Sequence, residues 1–263
     1  MWLSSQPGYR SKLSYSDTAY FKNNRKNARI AHTQREVPYP SMEACFKAFT
    51  AMPAATDCDK RDKALFAFMM LTGARIGATG SLKLLHINLE ERHVCQDARE
   101  VATKNAKTID TWFLPVDSAY LDVFTAWVAY LKQELLFGPA DALFPKPRIG
   151  VRPGQGFANL GLSRECYAGT TQLNKVIRKS FAAVQLPEYT PHSIRKTLVH
   201  HGNEVCPDIE AMKAWSLNLG HERLATTLNS YLPVNRTRQR QIIKQMRDCA
   251  AEVGPAQNSK TSL

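Results

Sequence analysis

Four short polar segments carry side chains that could do chemistry: Arg75 in TGARIGATGSL, Lys104 and Lys107 in ATKNAKTIDTW, His192 and Arg195 in TPHSIRKT, and His221 with Tyr231 in LGHERLATTLNSYLP. His192 and Arg195 stand three apart, which places both on one face of a helix. Pro191 suits a first helical turn and Thr190 a cap, so the pair falls near a helix N-terminus, where open N–H groups and the dipole favour an anion. Arg75 follows a strongly apolar run; it is either a surface charge at a helix end or a guanidinium aimed into a cleft, and surface charges are the commoner case. Lysines at hairpin tips are usually solvated. A tyrosine at a helix end more often packs than attacks. Taken singly, the segments offer an anion site and little more.

His221-Glu222 begins like the zinc signature H-E-x-x-H, in which two histidines four apart share one ion. Position 225, where the second should stand, is Ala225, and the cysteines at 45, 58, 95, 166, 206 and 249 form no Cys-x-x-Cys pair. No metal site is expected. GxxxxGK[ST] and GxGxxG are both absent. A nucleotide cofactor has no seat, and none is expected.

Charge points to a partner. The 263 residues hold 35 Lys+Arg against 23 Asp+Glu, a net charge of +12. Each phosphate neutralised by such a surface releases condensed counterions, which suits a polyanionic partner; an ordinary basic soluble protein is the other reading, and composition alone does not choose between them. No apolar run approaches the ~20 residues of a membrane span, and the start lacks the apolar core of a secretory signal. Scattered cysteines without such a signal read as reduced thiols, and the expected location is cytoplasmic.

Particular elements must position the four segments. Residues 1–38 are polar and without period, a linker or arm. Ser41 can cap a helix with Met42, Cys45, Phe46, Phe49 and Met52 on its apolar face. A second helix, about Asp59 to Leu71, is apolar nearly all round in its second half and is broken by Thr72-Gly73. Between 92 and 117 the runs RHVCQ, REVATK and DTWFLPV predict a small antiparallel sheet. Helical period returns over 118–136 on Leu121, Phe124, Val128, Leu131 and Leu135, and the Gly- and Pro-rich 138–169 read as loop. Helices follow on Leu173 to Val184, then over 192–203, 208–219 and 221–230, with a last amphipathic one over 235–249 and a disordered tail over 251–263. The fold class is mainly α with a small antiparallel β-sheet, an α+β arrangement.

In this order and context, T-G-x-R, a lysine turn, H-x-x-R, then L-G-H with a tyrosine ten residues on, the sequence resembles the tyrosine recombinase, or phage integrase, family. The likeness spans about residues 39–250 and takes in the apolar helix before Arg75, Leu114-Pro115-Val116 after the lysine turn, and Thr226-Thr227 before the tyrosine. It implies the DNA breaking-rejoining catalytic fold and a site-specific recombinase or integrase acting on double-stranded DNA. Tyr231 would be the nucleophile and become joined to the 3′ phosphate. His192 would be general base, His221 would bond the scissile phosphate, and Lys104 would protonate the 5′ leaving oxygen. Arg75 and Arg195 suit the charge that builds on the non-bridging oxygens, since each planar guanidinium can hold two oxygens. The phosphotyrosyl ester would conserve the energy of the bond, so neither ATP nor metal is implied.

The resemblance also implies a homo-oligomer on DNA, a tetrameric synapse, with 235–249 docking on a neighbour, and association with the nucleoid when bound. Two departures accompany it. The acidic residue that many members place three after the first arginine is Ala78 here, and Lys107 is an alternative to Lys104. Only residues 1–38 precede the catalytic region, so the expected organisation is an arm at 1–38, a catalytic domain over 39–250 and a tail over 251–263, without the family's core-binding domain ahead of it. The other readings are a DNA-binding protein that keeps the fold without recombining, and a type IB topoisomerase-like enzyme.

Overall fold

A computed structural model of the chain describes residues 6–8, 12, 38–152, 156–221, 239–241 and 243. Contacts divide the chain into Met1–Val37 and Pro38–Leu263, and nearly all described residues belong to the second unit. Apart from residues 6–8, 12, 38 and 221, the expected arm and the helix over 221–230 lie outside the described residues, as does the whole tail. Of the last predicted helix, residues 239–241 and 243 are described and are helical.

The second unit is built around one apolar helix. α1 (Met42–Thr50) starts at Ser41, whose hydroxyl accepts from the Ala44 N–H at 3.0 Å. α2 (Asp57–Thr72) begins two residues earlier than the sequence suggests, because Thr56 and Asp59 form a reciprocal capping box. Every residue from Ala64 to Thr72 is buried, as an all-round apolar helix requires. Phe66 packs on Phe181, and Phe68 on Phe124 and Phe144. α3 (Ile76–Thr79) is a single turn directly beyond. α4 (Ser118–Gln133) lies against α2 with Phe124, Val128 and Leu131 of the predicted stripe buried, together with Tyr120 and Trp127.

β1 (Ile87–Asn88), β2 (His93–Gln96) and β3 (Ile109–Trp112) form an antiparallel sheet in that order, with β3 at an edge. The register pairs His93 with Trp112 and Gln96 with Ile109. REVATK, expected as a strand, is instead a turn. The Asp97 carboxylate accepts from the Arg99 N–H at 2.9 Å, its carbonyl accepts from Val101 N–H at 2.8 Å, and Val101 is buried as a plug. A 3₁₀ turn, Lys104–Ala106, then leads into β3, with Asn105 left-handed at φ 61°.

The 138–169 segment is not all loop. β4 (Pro147–Arg152) and β5 (Gly156–Leu162) make a second antiparallel pair, so there are two small sheets among the described residues. Its apolar positions could not signal a strand through burial, since Ile149, Val151 and Phe157 are exposed. α5 (Thr171–Ala182), α6 (Pro191–Val205) and α7 (Ile209–Asn218) follow. α6 carries the expected Thr190 cap, closed into a capping box by Ser193. α6 packs on α1, α2 and α7, and α7 packs on β3.

Candidate active site

Three helix ends converge here, each for a local reason. α2 stops at Gly73, left-handed at φ 58°, where a Cβ would strike the Leu219 side chain and stand 3.2 Å from Leu198. Arg75, two residues on and half-buried, is the extended residue that opens α3. α7 ends in a Schellman motif: Gly220, at φ 70°, donates to the Leu217 carbonyl at 2.7 Å, and the His221 N–H donates to the Ser216 carbonyl at 3.0 Å. His221 is thereby turned inward and is only 3% exposed. α6 starts at Pro191, which brings His192 to the surface and sends Arg195 into the interior at 4% exposure.

Arg195 joins the other two ends. Its guanidinium donates through Nη1 to the Gly73 carbonyl and through Nη2 to the Leu219 carbonyl. These carbonyls belong to the last turns of α2 and α7, where the helix dipoles leave partial negative charge for a cation. Nη2 also lies 2.9 Å from His221 Nε2. A guanidinium only donates, so Nε2 accepts and the imidazole is neutral with its proton on Nδ1. The electrostatics agree: burial first, then Arg195, Arg75 and His192, hold the His221 pKa down to about 4.

Beside this knot an open cleft of about 440 Å³ is lined by Arg75, Lys104, His192 and Arg195, with Thr103 and Gly77 between them. None of its lining residues is acidic. His192 has its pKa lowered by partial burial and then by Arg195, Lys196, Arg75 and Lys104, so it is a neutral base at pH 7 among cations. Lys104 is exposed on its 3₁₀ turn; Lys107 is half-buried and does not line the cleft. Ala78, at the position of the missing acid, is buried in the core on α3. A cavity of similar size, about 450 Å³, lies around Arg61 and Lys179 between α1, α2 and α5 and contains none of the predicted site residues.

Five of the six predicted residues are therefore neighbours: four line one cleft, and His221 joins them through Arg195. Tyr231 lies outside the described residues. Sequence reasoning missed the carbonyls of Gly73 and Leu219 as partners of Arg195, although both glycine breaks, Gly73 and Gly220, were visible as helix ends. Among the described residues no group of three or more His, Cys, Asp or Glu side chains gathers as a metal site would need, and no helix is long and apolar enough to cross a membrane.

Known proteins resemble the chain in sequence and fold. Tyrosine recombinase XerC of Actinobacillus succinogenes is 29% identical over 171 residues, 64% of this chain and 48% of that protein. The chain thus spans about half the length of that curated relative. The crystal structure of XerA recombinase superposes with a TM-score of 0.56 at 21% identity, covering 82% of this chain and 65% of that one. A lambda integrase dimer bound to a COC′ core site gives a TM-score of 0.52 at 14% identity, covering 86% and 71% respectively. At such identities the two structures establish a common fold, α+β with small antiparallel sheets. The family model described as "Phage integrase family" matches residues 46–238, most of the sequence, and the chain belongs to that family.

Proposed function

We propose that the chain is the catalytic part of a tyrosine-type site-specific recombinase that cuts and rejoins double-stranded DNA through a 3′-phosphotyrosyl ester. The observation that carries this reading is the acid-free cleft shared by Arg75, Lys104, His192 and Arg195. Such a cleft suits a phosphate whose charge grows in the transition state, because its cations are in place beforehand.

Attack by the Tyr231 phenolic oxygen on phosphorus forms the new P–O bond as the bond to the 5′ oxygen breaks. A phenol of pKa ~10 needs a proton acceptor at neutral pH, and neutral His192 supplies one. Arg75 and Arg195 hold the non-bridging oxygens, and His221 bonds the scissile phosphate. Lys104, on a mobile four-carbon stem, gives its proton to the departing 5′ oxygen. An incoming 5′ hydroxyl reverses the step, so the ester itself stores what a ligase would otherwise draw from a nucleotide. Exchanging two duplexes cuts four strands, which calls for four tyrosines and hence a homotetramer on DNA.

The test is a randomised pool of nicked duplexes incubated with the 263-residue chain and washed under denaturing conditions. The expected result is a covalent protein–DNA adduct that Tyr231→Phe abolishes. Salt-sensitive binding without any adduct would overturn the reading in favour of a DNA-binding protein that keeps the fold. Relaxation of supercoiled DNA without exchange between duplexes would favour a topoisomerase-like enzyme.

A further inference from the structure

We infer that Asn218 is a positioning residue: its side-chain amide pairs with both backbone groups of Trp112 and so fixes the turn bearing His221 to the strand that follows the Lys104 turn. β3 is an edge strand. Phe113 N–H turns inward to the Arg92 carbonyl at 2.8 Å, so the N–H and carbonyl of the preceding residue, Trp112, face away from β2. Asn218 occupies that side as a neighbouring strand would. Its Oδ1 accepts from Trp112 N–H at 2.7 Å and its Nδ2 donates to the Trp112 carbonyl at 2.8 Å.

Two further contacts extend the join. The Thr111 hydroxyl donates to the Asn218 carbonyl at 3.1 Å, and a Cβ on Gly220 would stand 2.8 Å from Ile109 Cδ1. The turn therefore rests on β3 at Ile109, Thr111 and Trp112, and Asn218 lies inside it, between Ser216, which accepts from His221, and Gly220. The same chain segment reaches the end of α2 as well, where Leu114 N–H donates to the Leu71 carbonyl at 2.6 Å. β3 is thus a beam between the Arg75 end and the His221 turn. An amide is the side chain for the joint, because it offers one donor and one acceptor in the spacing a strand would present.

His221's part in cleavage is that of the proposed reading; its placement is not, and the experiment separates the two. Histidine-labelled full-length chain is titrated by NMR without DNA, the His221 signal being assigned by its loss in His221→Gln. In the parent protein His221 stays neutral down to about pH 4. In Asn218→Ala the loosened turn admits water, and the midpoint rises toward the ordinary ~6.5 by about one unit or more. Asn218→Gln keeps the amide and the charge but is one methylene too long; it moves the midpoint the same way and decides the matter if the alanine variant does not fold. With the duplex selected above, either variant forms adduct about tenfold more slowly or worse at unchanged DNA binding, the cost of a small misplacement. An unmoved His221 midpoint in a cooperatively folded variant overturns the assignment and leaves Asn218 as a cover for the strand edge. If the parent chain forms no adduct, the proposed reaction fails while the titration still judges Asn218.

Discussion

Arg195 Nη2 lies 2.9 Å from His221 Nε2, so one buried cation both fixes the tautomer of its neighbour and keeps that neighbour uncharged. The same guanidinium ties the last turns of α2 and α7 through the carbonyls of Gly73 and Leu219. Structure and proposed chemistry share these bonds, and the consequences can be measured separately.

Arg195→Lys keeps the charge and loses the fork. An ammonium on a flexible stem cannot meet Gly73, Leu219 and His221 together, and it leaves buried acceptors unsatisfied. The expected loss is about 2–4 kcal/mol in urea unfolding. Adduct formation should fall at least a hundredfold even at a temperature where the variant remains folded.

Acid should destabilise the fold through His221. Its folded pKa, about 4, lies below the ordinary ~6.5, so the unfolded chain binds the proton more readily and stability rises with pH between those values. The contribution is complete above about pH 6.5, and about 3 kcal/mol is lost as pH falls toward about 4. Denaturant titrations at a series of pH values should show a shallower slope in His221→Gln over that window. An unchanged slope would place the titrating group elsewhere.

Gly220→Ala should disturb the turn from two sides. Alanine is strained by about 1–2 kcal/mol at a left-handed position, and here its Cβ would meet Ile109 Cδ1 at 2.8 Å. The expected outcome is a thermal midpoint lower by several degrees together with a raised His221 titration midpoint, both read on the protein alone.

Lys104→Ala should slow cleavage about 10²–10⁴-fold, the range for a lost general acid. A duplex whose 5′ bridging oxygen is replaced by sulfur departs as a thiolate and needs little protonation, so it should recover most of the rate. Lys107→Ala, altered outside the cleft, should stay within a few fold on either substrate. The reverse pattern would assign the proton to Lys107.

Sequence reading went far where side chains are held by local rules. Ser41, Thr190, Gly73 and Gly220 are caps and breaks whose chemistry is set within a few residues, and the helices they bound stand close to where the apolar periods put them. Of the residues picked out by their order, Arg75, Lys104, His192 and Arg195 line one cleft and His221 lies beside it against Arg195. The failures have separate causes. REVATK has the composition of a strand, but Asp97 turns it and the core takes Val101. β4 and β5 pair with each other while leaving Ile149, Val151 and Phe157 outside, and the Gly and Pro residues around them read as loop. Asn218 carries no motif; only the edge of β3 gives its amide a meaning.

Arg195 finds its carbonyls 122 residues back, at Gly73, and 24 residues ahead, at Leu219. During synthesis α2 emerges long before α7 exists, so the cation cluster can close only after nearly the whole catalytic region has left the ribosome. A chain that stops short of Leu219 can carry both Arg75 and Arg195 and still lack the carbonyl of α7 that holds the second guanidinium. Wiring the cleft through two helix ends far apart in sequence works as an interlock: the cleft is completed last.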